Sequence, residues 1–158
     1  MGRSSTIYSL VSDTYADSTG NLDTQQFKKY LCHYNRPNKF FSISHSFNQL
    51  IGIASEHPCG IDLEKIKDRS LSLLEYVLDN NERKLLERSF SKPLEVLYVG
   101  WTIKEACYKA NSCGYNPSDY TISGLDKDIY KVKTKFCNFW VITRKINQDS
   151  IASVAFTN

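Results

Sequence analysis

Apolar and polar residues alternate with two periods along this chain, and the period switches twice. Residues 6–11 (Thr-Ile-Tyr-Ser-Leu-Val) are rich in β-formers and predict a first strand. After a polar loop from Asp13 to Asn21, Phe27, Tyr30 and Leu31 fall at i, i+3 and i+4 and predict a helix over 23–33. Arg36-Pro37-Asn38 signals a turn. Phe40–Ser44 and Leu50–Ser55 then read as strands joined by His45-Ser46-Phe47-Asn48. Pro58-Cys59-Gly60 turns the chain into a further strand over Ile61–Ile66, and these strands predict a small antiparallel meander.

The pattern then turns helical. Leu71–Leu78 is a mixed apolar segment that predicts one short helix, and Asp79 with Glu82 makes a capping-box pattern that predicts the start of a second. The longest helix should begin at Ser91-Lys92-Pro93, with proline in its first turn, run to Asn111 and stop near Gly114. Four β-rich runs close the chain: Tyr120–Ser123, Ile129–Phe136, Phe139–Lys145 and Ile151–Phe156. Strands, then helices, then strands predict an α+β fold with antiparallel pairing. There is no βαβ alternation and no glycine-rich phosphate loop, which disfavours a Rossmann or P-loop enzyme.

Composition narrows this picture modestly. With 158 residues, 41% of them hydrophobic, the chain suffices for one domain with a substantial core. Its 20 Lys+Arg against 17 Asp+Glu are interspersed, so the net charge of +3 does not mark a nucleic-acid binder. The five cysteines (Cys32, Cys59, Cys107, Cys113 and Cys137) are odd in number and form no CxxC pair, so free thiols and a cytoplasmic location are expected. No signal-peptide core or membrane-length apolar run is visible, and no membrane association is expected.

Two segments carry candidate chemistry. In Gly60-Ile61-Asp62-Leu63-Glu64-Lys65, strand alternation sends Asp62 and Glu64 to one face and Ile61 and Leu63 to the other. Adjacent carboxylates repel each other, and a hard divalent cation relieves that repulsion. Alone, the segment fits a solvent-facing strand edge better than a metal site. In Trp101-Thr102-Ile103-Lys104-Glu105-Ala106-Cys107-Tyr108-Lys109, Glu105 and Lys109 are four residues apart and share a helix face. Alone, they fit an ordinary surface ion pair.

Together these segments resemble the signature of the 4'-phosphopantetheinyl transferase superfamily, a G-[IV]-D-x-[EK] strand followed by a W-[ST]-x-K-E-[AS]-x-x-K helix. Gly60, Asp62, Trp101, Thr102, Lys104, Glu105, Ala106 and Lys109 all match, and Lys104 follows Asp62 by 42 residues. Upstream, Phe41-Ser42-Ile43-Ser44-His45-Ser46 is similar to the N-[IL]-S-H-S element of Sfp-type members, with Ser42 in place of the asparagine. The resemblance covers residues 38–125 and implies antiparallel sheets packed with a long helix. Residues 1–59 would form a shortened N-terminal sub-lobe and 60–158 a C-terminal sub-lobe holding the metal site, both in one domain.

The resemblance implies transfer of the 4'-phosphopantetheine group of coenzyme A to a serine of an apo acyl or peptidyl carrier protein. Mg2+, or Mn2+, would be bound by Asp62, Glu64 and Glu105. Lys109 and Lys104 would hold the pyrophosphate, Ser44 and His45 the 3'-phosphate of coenzyme A, and Glu82 is the candidate general base. Capping of its own helix is the competing assignment for Glu82, and Glu105 or a metal-bound water could act as base instead. The shortened first half departs from the family pattern, and no basic element for the adenine nucleotide is recognisable. A second subunit supplying that wall would make the protein a homo-oligomer. A coenzyme A- or carrier-binding module without turnover is the alternative function, and an unrelated α+β protein with decorative carboxylates is a third.

Overall fold

The strand-forming segments sort into two antiparallel sheets. The computed structural model describes residues 9–12, 25, 29, 40–47, 49–111 and 116–157. Of the helix expected over 23–33 only Gln25 and Lys29 are described, both helical; the stop at Gly114 lies outside the described residues. β1 (Ser9–Ser12), β2 (Phe40–Ser46) and β3 (Gln49–Ser55) form one sheet in the order β1-β3-β2. β4 (Cys59–Lys65), β5 (Thr121–Asp126), β6 (Ile129–Lys133), β7 (Asn138–Asn147) and β8 (Ser150–Thr157) form the other, in the order β4-β8-β7-β6-β5.

This corrects the expected meander. β4 does not pair with β3; it pairs with the last strand, β8, with Asp62 opposite Ser153 and Leu63 opposite Ala152. Cys59 and Gly60 lie inside the strand, so the turn falls before them. The physical reason is burial on both faces: Ile61 and Leu63 pack on Ile51 and Ile53 of β3 across the gap between the sheets, while the opposite face of β4 meets a helix. A strand paired edge to edge with β3 could not also lie over it.

Three helices follow β4: α1 (Ser72–Val77), α2 (Asn80–Leu86) and α3 (Pro93–Asn111). α2 starts on the expected capping box, in which the Asp79 carboxylate accepts from the Asn81 and Glu82 amides and Glu82 Oε2 accepts from the Asp79 amide. α3 is the central element and is buried almost all round. Ile103, Ala106 and Cys107 pack with Val132, Phe139, Val141 and Ile151 of the five-stranded sheet in the main core. It lies against β4 and β8. Gly60 permits the close approach, because a Cβ there would overlap the Ala106 carbonyl oxygen and crowd the Ala110 amide.

The two sheets meet without a backbone ladder. β4 is an edge strand, and its amides at Ile61, Leu63 and Lys65 point away from β8 toward β2. Ser42, Ser44 and Ser46, on one face of β2, each accept one of them through Oγ, all at 3.0 Å. Three hydroxyls thus satisfy amides that an edge strand would otherwise leave open.

Candidate active site

The strand alternation of β4 and the helical spacing of α3 converge where Gly60 brings the two elements together. Asp62 is buried, at 5% exposure. Its Oδ1 accepts from Lys109 Nζ at 2.7 Å and from Ser44 Oγ at 3.0 Å. Its Oδ2 is the one buried side-chain nitrogen or oxygen among the described residues that lacks a hydrogen-bond partner. An orphaned carboxylate oxygen costs desolvation energy and calls for a ligand.

Glu64 and Glu105 flank it. Burial pushes the Glu64 carboxyl above the ordinary carboxylate range, and the charge of Asp62 pushes it further; Ser46, Arg69 and Lys109 pull it back. Burial likewise raises Glu105, with Asp62 adding to the rise and Lys109 opposing it. Both glutamates therefore feel the same aspartate and the same ammonium, which brings one strand and one distant helix to a common point. Among the described residues, no three or more Asp, Glu, His or Cys side chains are grouped closely enough to hold a metal ion. The chemistry of the donors nonetheless suits a hard divalent cation: three carboxylates, one with a buried free oxygen, two raised in pKa by burial and by the charge of Asp62.

Two hollows share Trp101 as a wall, one reaching Glu64 and the other Glu105. A cavity of about 180 Å³ has Glu64 and Arg69 beside apolar walls from Leu73, Tyr76, Val77 and Leu97. A second hollow, of about 210 Å³, is lined by Glu105, Lys104, Tyr108 and Tyr120. The Tyr98 hydroxyl accepts from the Lys67 amide and from Arg69 Nε, both at 3.1 Å, which fixes Arg69 beside Glu64. No motif or periodicity singled out Arg69; only the fold reveals its neighbourhood.

Lys104 and Glu82 are brought together, but apart from the carboxylate cluster. Lys104 Nζ donates to the Val77 carbonyl at 2.7 Å and to Glu82 Oε2 at 2.9 Å, with Oε1 at 2.8 Å. Glu82 also accepts from the Asp79 amide and the Ile122 amide, each at 2.8 Å. Both side chains are about 95% buried, at 5% and 4% exposure. Every Glu82 partner is structural, and none belongs to the Asp62–Lys109 group.

The model of the 4'-phosphopantetheinyl transferase superfamily matches residues 58–154, the stretch that carries β4, α3 and the five-stranded sheet. The chain belongs to this superfamily. It is 31% identical over 111 residues to the 4'-phosphopantetheinyl transferase ffp of Bacillus subtilis, covering 68% of this chain and 49% of that protein. To the transferase Sfp of Bacillus subtilis (strain 168) it is 29% identical over the same length and shares. To the transferase gsp of Aneurinibacillus migulanus it is 34% identical over 71 residues, 44% of this chain and 30% of that one. The chain thus spans half or less of the length of these relatives. Membership excludes the reading of an unrelated α+β protein.

Within the superfamily signature, the structure treats the matched positions differently. Asp62, Glu64, Glu105 and Lys109 form one electrostatic group. Lys104 turns to Glu82 instead. Ser44 and His45, neighbours in β2, face opposite ways: Ser44 is buried against β4, and His45 is exposed on the other side. The Ser44 hydroxyl donates to Asp62 and accepts from both the Leu63 amide and Lys109, which fills its hydrogen-bonding capacity. Cys59 and Cys107 are buried free thiols, and Cys32 and Cys113 lie outside the described residues. Among the described residues no helix is long and apolar enough to cross a membrane.

Proposed function

We propose that this chain carries the phosphate-handling site of a 4'-phosphopantetheinyl transferase. The reaction passes the phosphopantetheine group of coenzyme A to a serine hydroxyl of an acyl or peptidyl carrier protein, in the cytoplasm. The observation that carries this reading is Asp62, with one oxygen on Lys109 and the other buried and unpartnered, beside two glutamates whose pKa it raises.

Asp62, Glu64 and Glu105 would hold Mg2+ or Mn2+, which supplies positive charge to the pyrophosphate when bound. In the transfer, the carrier serine Oγ forms a bond to the phosphorus that bears the pantetheine arm. The bond from that phosphorus to the oxygen of adenosine 3',5'-bisphosphate breaks, and the electron pair leaves with that oxygen. Lys109, an ammonium on a flexible stem at the edge of the site, neutralises the oxygens on which charge develops. The serine proton goes to a carboxylate. Glu105 suits this better than Glu82, whose oxygens are taken up by Lys104 and by the Asp79 and Ile122 amides. Lys104 and Glu82 would support the reaction by fixing α3. His45, exposed at the rim, is available to the 3'-phosphate. The chain is read as a single domain whose sub-lobes divide where it passes from one sheet to the other.

A second reading is a coenzyme A- or carrier-binding module without turnover, which the same carboxylates and lysine would serve. Intact-mass spectrometry of apo carrier proteins incubated with the chain, coenzyme A and Mg2+ decides between them. Added mass on a carrier serine supports transfer. Calorimetric binding of coenzyme A with no added mass supports the module, and neither outcome leaves both standing.

A further inference from the structure

The Ser-x-Ser-x-Ser stripe of β2 does more than join two sheets. Each hydroxyl has one proton and two lone pairs. In all three serines one lone pair takes a β4 amide, Ile61, Leu63 or Lys65. What remains differs along the stripe. The Ser44 proton goes to Asp62 Oδ1 at 3.0 Å, and the Ser46 proton goes to Glu64 Oε2 at 3.3 Å. Ser42 makes no carboxylate contact among the described residues and serves only the Ile61 amide.

We infer that Ser44 and Ser46 are positioning residues for the carboxylates of β4, and that Ser42 belongs to the same ladder without that role. This rests on the reading of Asp62 and Glu64 as metal ligands. The carboxylate of Asp62 rotates about two bonds and that of Glu64 about three, and a cation needs their oxygens aimed. The ladder anchors each hydroxyl to a backbone amide, so its proton is presented from a fixed point. Ser44 restrains Asp62 Oδ1 and leaves Oδ2 as the free oxygen of the pair. It also accepts from Lys109 Nζ at 3.0 Å, which ties the lysine to the same anchor. The ladder further couples the two sheets chemically, because the strand that holds the metal carboxylates is registered against the strand that carries His45.

The stripe contains its own control. Ser42→Ala, Ser44→Ala and Ser46→Ala each remove the acceptor of one β4 amide, so all three should lower the thermal midpoint. Only the latter two release a carboxylate. Mn2+ affinity, read by electron paramagnetic resonance of the free ion, should fall about tenfold or more in Ser44→Ala and Ser46→Ala. It should stay within about twofold of the parent in Ser42→Ala, whose hydroxyl touches no ligand. Ser44→Thr, which keeps the hydroxyl on a β-branched side chain suited to a strand, should restore binding. Equal Mn2+ affinity in Ser42→Ala and Ser44→Ala overturns the inference, as does failure of Ser44→Thr to recover it. Should Ser44→Ala not fold, Ser46→Ala against Ser42→Ala carries the same comparison at a less buried site. If the parent chain binds no Mn2+, the metal site itself fails and the positioning role with it. If it binds and the variants do not differ, the positioning role alone fails.

Discussion

Removing the Lys104 ammonium should destabilise the fold more than any surface substitution, and the structure says by how much. In Lys104→Met the carbon stem is kept and three contacts vanish: the Val77 carbonyl at 2.7 Å and the two Glu82 oxygens at 2.8 and 2.9 Å. Glu82 would retain the Asp79 and Ile122 amides, but its charge, 4% exposed, would lose its counter-ion. Breaking a buried pair on one side costs about 3–5 kcal/mol, because a charge is left in a medium that cannot solvate it. For a domain of this size each kcal/mol lowers the thermal midpoint by about 2–4 °C, so a fall of about 6–20 °C is expected. Adding Glu82→Gln to Lys104→Met removes the stranded charge while keeping an acceptor for one amide. The double variant should recover about 2 kcal/mol relative to Lys104→Met alone. Urea unfolding at neutral pH, followed by tryptophan fluorescence and extrapolated linearly, measures both. A loss below about 1 kcal/mol in Lys104→Met, or a double variant no more stable than the single, would refute the structural assignment of this pair.

Gly60→Ala should cost about 1–3 kcal/mol, since its Cβ meets the Ala106 carbonyl and Ala110 amide, backbone atoms that cannot swing aside; the same melts measure it. Asp62→Asn should lower the pKa of both Glu64 and Glu105, because it removes a repelling charge; carbon-13 titration of the glutamate carboxyls would show unchanged values if that coupling were absent. Without added metal the folded form binds protons at Glu64 and Glu105 more tightly than the unfolded chain does. Their contribution to stability is therefore present below the ordinary carboxylate pKa and lost as pH rises through the raised values. Melts taken at rising pH, starting below the ordinary carboxylate pKa, should show this decline, smaller in Glu105→Gln and smaller again with saturating Mg2+.

Much of the architecture was legible along the chain. Alternation marked β2, β3 and the last strands, Asp79 with Glu82 marked the start of α2, and Pro93 marked the start of α3. These signals are local: a cap or a strand face depends on residues within one turn or one pleat. The resemblance also identified the superfamily from the segments around Asp62 and Glu105, since motif spacing is itself a sequence property.

Which amide each β4 residue meets was not legible. The partner of β4 lies some 90 residues downstream in β8, with Asp62 opposite Ser153, and alternation cannot choose between two edges of equal pattern. Spacing turns Lys104 and Lys109 to different faces of α3 but could not say what each would meet. Five residues along a helix rotate a side chain well over a full turn, so Lys109 meets Asp62 while Lys104 is turned toward Glu82. The sequence by itself determined the elements and the chemical groups they carry. The tertiary structure alone decided which groups share an environment, because burial, pairing edge and hydroxyl capacity depend on neighbours far apart in the chain.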